Sequence, residues 1–129
     1  MKHPERVEDY LEHITQAVER ATEYIERLDF GAFQKSHREQ DAVIRNIEII
    51  GEAANRIQKQ SPEFVAADPE LPWVEMRGMR NKMIHDYFEV NVKVVWNTVK
   101  ENLPQLKQQI DALLIEQRRG RKPEQDPSR

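Results

Sequence analysis

The sequence predicts an all-α, up-and-down bundle of four to five helices. Apolar residues recur at alternating spacings of 4 and 3, the mark of a helix with one buried stripe, and alternation at period 2 is almost absent. Only four glycines interrupt 129 residues, and clustered prolines separate the periodic stretches.

The first helix covers roughly residues 4–28. Val7, Leu11, Ile14, Val18, Ala21, Ile25 and Leu28 keep a narrow stripe against a partner helix, and Tyr10, Ala17 and Tyr24 widen it. Pro4 stands in the first turn, where its missing N–H is no loss. Phe30 and Phe33 then lie in a connection beside Gly31 and plug the end of the core.

Ser36-His37-Arg38-Glu39 reads as a capping box that opens the second helix. Its apolar face is Val43, Ile44, Ile47, Ile50, Ala54 and Ile57, and Gly51, Ala53 and Ala54 let another backbone come close. Pro62, Pro69 and Pro72 make residues 61–72 a connection with one short helical turn around residues 63–66. Trp73 starts the third helix, which carries Met76, Arg80, Met83, Ile84 and Tyr87 down the same side and frays near residues 88–91. A fourth helix begins at about Val92. Pro104 ends or kinks it, and Leu106, Ile110, Leu113 and Leu114 continue the stripe. The bundle domain spans residues 1–115, and residues 116–129, all polar, charged, glycine or proline, form a frayed helix end and a tail.

Apolar residues make up 38 % and charged residues 33 %, which is little core for a compact monomer, so a shared interface is expected. The formal charge of −3 disfavours a protein that coats nucleic acid electrostatically, and any such contact must be focal. Without cysteine there is neither a disulfide framework nor a thiolate nucleophile. The first residues run straight into charge and no stretch approaches about 18 apolar residues, so a soluble, cytoplasmic, membrane-free protein is expected. His3, His13, His37 and His85 are not spaced as metal-ligand pairs, and no glycine-rich loop suggests a nucleotide cofactor. No metal and no cofactor are expected.

The informative stretch is Arg77-Gly78-Met79-Arg80-Asn81-Lys82-Met83-Ile84-His85-Asp86-Tyr87. At about 100° per residue, Arg80 falls in the middle of an apolar arc, where an unpaired guanidinium is prohibitive. It needs a carboxylate, with Glu48 or Glu52 as candidates, or a subunit boundary, or an anionic ligand. Asn81 and His85, four apart, form a polar edge beside this arc, and Gly78 leaves that edge open. On pattern alone a buried ion pair and a functional site weigh equally, and His85 and Tyr87 taken singly read as a capping histidine and a core aromatic. Arg77 and Lys82 would line an RNA path, although a solvated face explains Lys82 as well. Arg118, Arg119, Arg121 and Lys122 would hold RNA, touch a partner or simply be solvated.

Arg80-Asn81-Lys82-Met83-Ile84-His85-Asp86-Tyr87 fits the R-x4-H-x-Y signature of HEPN domains. With Ile49-Ile50-Gly51-Glu52-Ala53-Ala54, Pro72-Trp73 and Gly78-Met79-Arg80-Asn81 in order, the chain resembles the HepT-like toxins over residues 5–115. The resemblance implies a homodimeric helical-bundle endoribonuclease, the toxin of a toxin–antitoxin module whose antitoxin is an MNT-type nucleotidyltransferase. It further implies Arg80 and His85 as the catalytic pair, Asn81 as a polar helper and Tyr87 as the residue that receives AMP. The residue types suit metal-independent RNA cleavage: histidine moves protons near neutral pH and an arginine fork stabilises phosphorane charge. One motif supplies one histidine, so a composite site in a dimer cleft is expected. A non-catalytic module that binds a nucleotidyltransferase and helps present its substrate remains the rival reading, and a structural dimer with Arg80 in an ion pair is a third.

Overall fold

The computed structural model describes residues 6–83 and 90–124, the side chains of residues 80, 82, 83 and 121–124 excepted. In chain order it forms α1 (Val7–Ile25), α2 (Phe30–Lys35), α3 (His37–Gln60), α4 (Pro62–Ala66) and α5 (Trp73–Met83). α6 (Val92–Asn97), a π-helical turn (Thr98–Asn102) and α7 (Leu103–Glu124) then run on without a break. The architecture is all-α, with no strand among the described residues. No helix among them is long and apolar enough to cross a membrane.

α1 and α3 form the centre of the bundle, with α5 against α3 and α7 against α1. The expected stripes meet there: Leu11, Ile14, Val18, Ala21 and Ile25 of α1 and Val43, Ile47, Ile50, Ala54 and Ile57 of α3 are all buried. Each fully buried Leu or Ile stabilises by about 1.5–3 kcal/mol, so this seam dominates the fold. Tyr24 departs from the expectation, being 38 % exposed. The row Tyr10, Ala17, Tyr24 repeats every seven residues, and a straight helix drifts by about 20° per heptad, which carries its last member out of the seam.

The ends of the elements have local causes. Asp9 accepts from the Arg6 N–H at 2.9 Å and the described α1 starts at Val7; the expected first turn at Pro4 lies outside the described residues. Residues 30–35 form a short helix where a connection was expected, because Asp29 caps it by accepting from the Ala32 N–H at 2.8 Å. Phe33 still plugs the core: it is fully buried and its ring centre lies 5.4 Å from that of Trp96. Gln40, a buried amide, donates to the Phe33 and Gln34 carbonyls at 2.9 and 3.0 Å and so closes the end of α2. Ser36 accepts from the Glu39 N–H at 3.3 Å, one limb of the expected capping box.

Pro104 neither ends nor splits the last rod. It has no N–H to give to the carbonyl four residues back, and the Leu103 N–H bonds to the Thr98 carbonyl five residues back, so the turn before the proline is π-helical. α7 also continues past residue 115, through residues 116–124, where a frayed end and tail were expected. Arg118 anchors it by donating to Glu8 at 3.0 Å and also to Glu12, both on α1. Arg118 is thus engaged within the fold. Further along, Asp111 accepts from Thr15 at 2.6 Å and from Lys107 at 2.7 Å. Burial pushes the Asp111 carboxyl upward, but the hydrogen bonds from Lys107 and Thr15, with the Lys107 charge, outweigh it and hold the group below the ordinary carboxylate range.

Candidate active site

The site is built where α5 lies against α3. Trp73 anchors the start of α5: it is buried, donates from Nε1 to the Asp68 carbonyl at 3.2 Å and packs edge-on against Phe64. Met76, one turn on, is fully buried. Opposite stands Gly51, where an added Cβ would sit 3.0 Å from the Met76 carbonyl oxygen. The backbones of the two helices therefore approach as closely as the small residues suggested. Among the described residues, a Cβ at Gly78 would meet nothing within 4 Å.

Beyond this contact the helices diverge around a cleft of about 450 Å³, lined by Arg45, Glu48, Gly51, Glu52, Arg77 and Asn81. Arg77 donates from Nη1 to the Gln58 side-chain oxygen at 2.9 Å, which fixes one edge of its guanidinium. Such a tethered fork suits an anionic oxygen better than a free lysine does, because less rotamer freedom is lost on binding. Glu52 accepts from Arg56 at 2.8 Å, and Glu48 lies 3.7 Å from Arg45. Both carboxylates considered as partners for Arg80 line the cleft, and the Arg80 side chain lies outside the described ones. Arg56 is held above its ordinary pKa, first by its hydrogen bond to Glu52 and then by one to Tyr10.

Of the expected site residues, Arg77 and Asn81 line this cleft. The backbone of Arg80 belongs to α5, three residues after Arg77 and one before Asn81, so its register is on the same side of the helix. Lys82 is also in α5, but about 140° round from Arg77, on the flank of Glu75 and Met79. His85 and Tyr87 lie outside the described residues, as does the expected fraying near residues 88–91, except for the last two of them. Two contributors escaped the sequence reading, Gln58 and Arg45. Gln58 follows Gly51 by seven residues, the spacing that places both on the α5 side of α3, and that signal was available. Among the described residues, no three His, Asp or Glu side chains come together as a metal site.

The family model described as "Ribonuclease HepT-like" matches residues 14–113. The chain is similar to the "Probable ribonuclease HepT" of Thermococcus cleftensis, at 46 % identity over 81 % of this chain and 93 % of that protein. It is also similar to the "Putative RNase TTE0752" of Caldanaerobacter subterraneus subsp. tengcongensis, at 39 % identity over 81 % of this chain and 91 % of that protein. A third relative, the "Putative RNase MJ1380" of Methanocaldococcus jannaschii, is 34 % identical over 81 % of this chain and 94 % of its own. No solved structure matches the chain to the same standard.

Proposed function

The chain belongs to the HepT-like ribonuclease family, and from that premise we propose that it is a toxin that cuts RNA without metal, through a composite site in the cleft of a homodimer. The observation that supports the reading is the cleft beside α5, where Arg77, tethered by Gln58, and Asn81 share a side of the helix with the register of Arg80.

In this reading His85 of one protomer takes the proton from a ribose 2′-hydroxyl. The 2′-oxygen bonds to the adjacent phosphorus while the bond from phosphorus to the 5′-oxygen breaks. Arg80 stabilises the charge of the crowded phosphorane, Asn81 supports it, and the partner's His85 gives the leaving 5′-oxygen its proton. The products are a 2′,3′-cyclic phosphate and a 5′-hydroxyl. Purified chain incubated with RNA in EDTA is therefore expected to leave cyclic phosphate ends. Cleavage that stops in EDTA and returns only with added metal overturns the mechanism.

The same reading assigns a partner. An MNT-type nucleotidyltransferase antitoxin, encoded beside the toxin, neutralises it by attaching AMP to Tyr87: the phenolic oxygen attacks the α-phosphorus of ATP and pyrophosphate leaves. Two residues from His85, the added phosphate competes with the RNA phosphate for the arginines. A Tyr87→Phe chain is expected to keep arresting growth when the antitoxin is co-expressed. Full protection of cells carrying that variant would show that binding alone neutralises the toxin.

A further inference from the structure

On the flank of α5 turned away from the cleft lies a second cavity, of about 440 Å³, enclosed with the π-helical turn and the start of α7. Met79 and Leu106 give it an apolar floor, and the carboxamides of Asn97, Asn102, Gln105 and Gln109 line it above. None of these four carboxamides makes a side-chain hydrogen bond to another described residue. Asn102, Gln105 and Gln109, spaced three and four apart, share one helix face, and the π turn adds Asn97 to them. In an α-helix, residues five apart point about 140° from each other, whereas the five-residue hydrogen-bonding step of a π turn brings them to one side. Asn97 and Asn102 share a cavity for that reason.

Among the described side chains the lining carries no cation, and its one charged group is the Glu75 carboxylate, which disfavours an anionic ligand such as phosphate. Each carboxamide offers two donors and an acceptor, and the floor offers apolar contact, so the matching ligand is flat, neutral and edged with both donors and acceptors. A nucleobase has that chemistry, and Asn and Gln read base edges through paired hydrogen bonds. Lys82, three residues after Met79, has its register on this same flank of α5.

We propose that this cavity is a base-selecting subsite that takes one unstacked nucleobase of the RNA substrate, which rests on the ribonuclease reading above. The helix whose other flank faces the cleft is about 10 Å across, so a strand of a few nucleotides bridges the two. Glu75 only accepts hydrogen bonds, which favours bases bearing an exocyclic amino group and makes uridine the weakest ligand.

The test begins with the four free nucleosides, which carry no phosphate, titrated into the whole chain while the Met79 methyl and the carboxamide signals are followed by NMR. Saturable shifts at those groups, weakest for uridine, are expected, and they disappear in an Asn102→Ala, Gln105→Ala chain. Both of these side chains are exposed, so the fold is retained, as thermal melting checks. In RNA mapping the same variant is expected to lose base preference at its cut sites on the order of tenfold while still cutting. Absence of nucleoside shifts, or an unchanged cut pattern in the variant, overturns the proposal. So does a variant whose only change is its mass in solution, which assigns the cavity to an interface between copies. Nucleoside binding is read without cleavage, so failure of the base site and failure of the ribonuclease reading are separate results.

Discussion

His85→Ala is expected to abolish RNA cleavage while leaving the helical content and melting transition of the chain intact. General acid–base catalysis contributes about 10²–10⁴ in rate for each proton transfer. In a composite site one substitution per chain removes the base from one protomer and the acid from its partner, so the loss exceeds that of a single transfer. If Arg80 stabilises the phosphorane as proposed, Arg80→Ala is expected to cost about 10²–10³. A mixed dimer of native and His85→Ala chains then separates composite from independent sites. Independent sites keep half the activity, whereas a composite site missing one of its two histidines keeps far less. Variants that cut RNA as the native chain does would remove both residues from the reaction. Variants that only lose a nucleotidyltransferase partner, in a chain that never cut RNA, would favour the non-catalytic module.

The seam of the bundle was legible because burial follows a period that the chain repeats, and α1 and α3 obey it from Leu11 to Ile57. What escaped depends on contacts that no local window contains. Residues 116–124 are polar and read as a frayed helix end and a tail, yet α7 runs through them and Arg118 meets Glu8 and Glu12 from the far end of the chain. The residues of α2 read as a connection because Gly31 stands among them, whereas the Asp29 cap makes them helical. Around the site, the position of Arg80 beside Asn81 followed from spacing alone, but the tether from Arg77 to Gln58 required the crossing of two helices. Asn102, Gln105 and Gln109 keep the spacing of one helix face, but their meeting with Asn97 was invisible because the π turn between them breaks the α period. The charge puzzle also sharpens. A chain of −3 brings Arg45 and Arg77 to one cleft, but with Glu48 and Glu52 beside them, so any focal contact with RNA rests on how these four charges pair.

Gly51→Val is expected to lower stability by about 2–3 kcal/mol and to reduce cleavage further than the unfolded fraction explains. A glycine inside a helix costs about 1 kcal/mol relative to alanine, so its presence in the middle of α3 needs a compensating cause. The cause is the approach of α5: a Cβ there would lie 3.0 Å from the Met76 carbonyl oxygen and 3.7 Å from that of Arg77. Both are backbone atoms and have no rotamer into which to retreat, so α5 must move as a body. With alanine, the helix-propensity gain of about 1 kcal/mol offsets much of an overpacking cost of about 1–3 kcal/mol. Valine adds two methyl groups to the same gap with its χ1 nearly fixed, and the cost prevails. Gly78→Ala is the control, because among the described residues nothing lies within 4 Å of its added Cβ, which leaves the propensity gain. Urea midpoints that fall for Gly51→Val and rise for Gly78→Ala would confirm that close approach, not helix content, selects glycine at residue 51. A Gly51→Val chain with native midpoint and native cleavage would show that α5 reaches its working position without that contact. A displaced α5 carries Arg77, Arg80 and Asn81 with it, which is why the loss of cleavage is expected to outrun the loss of stability.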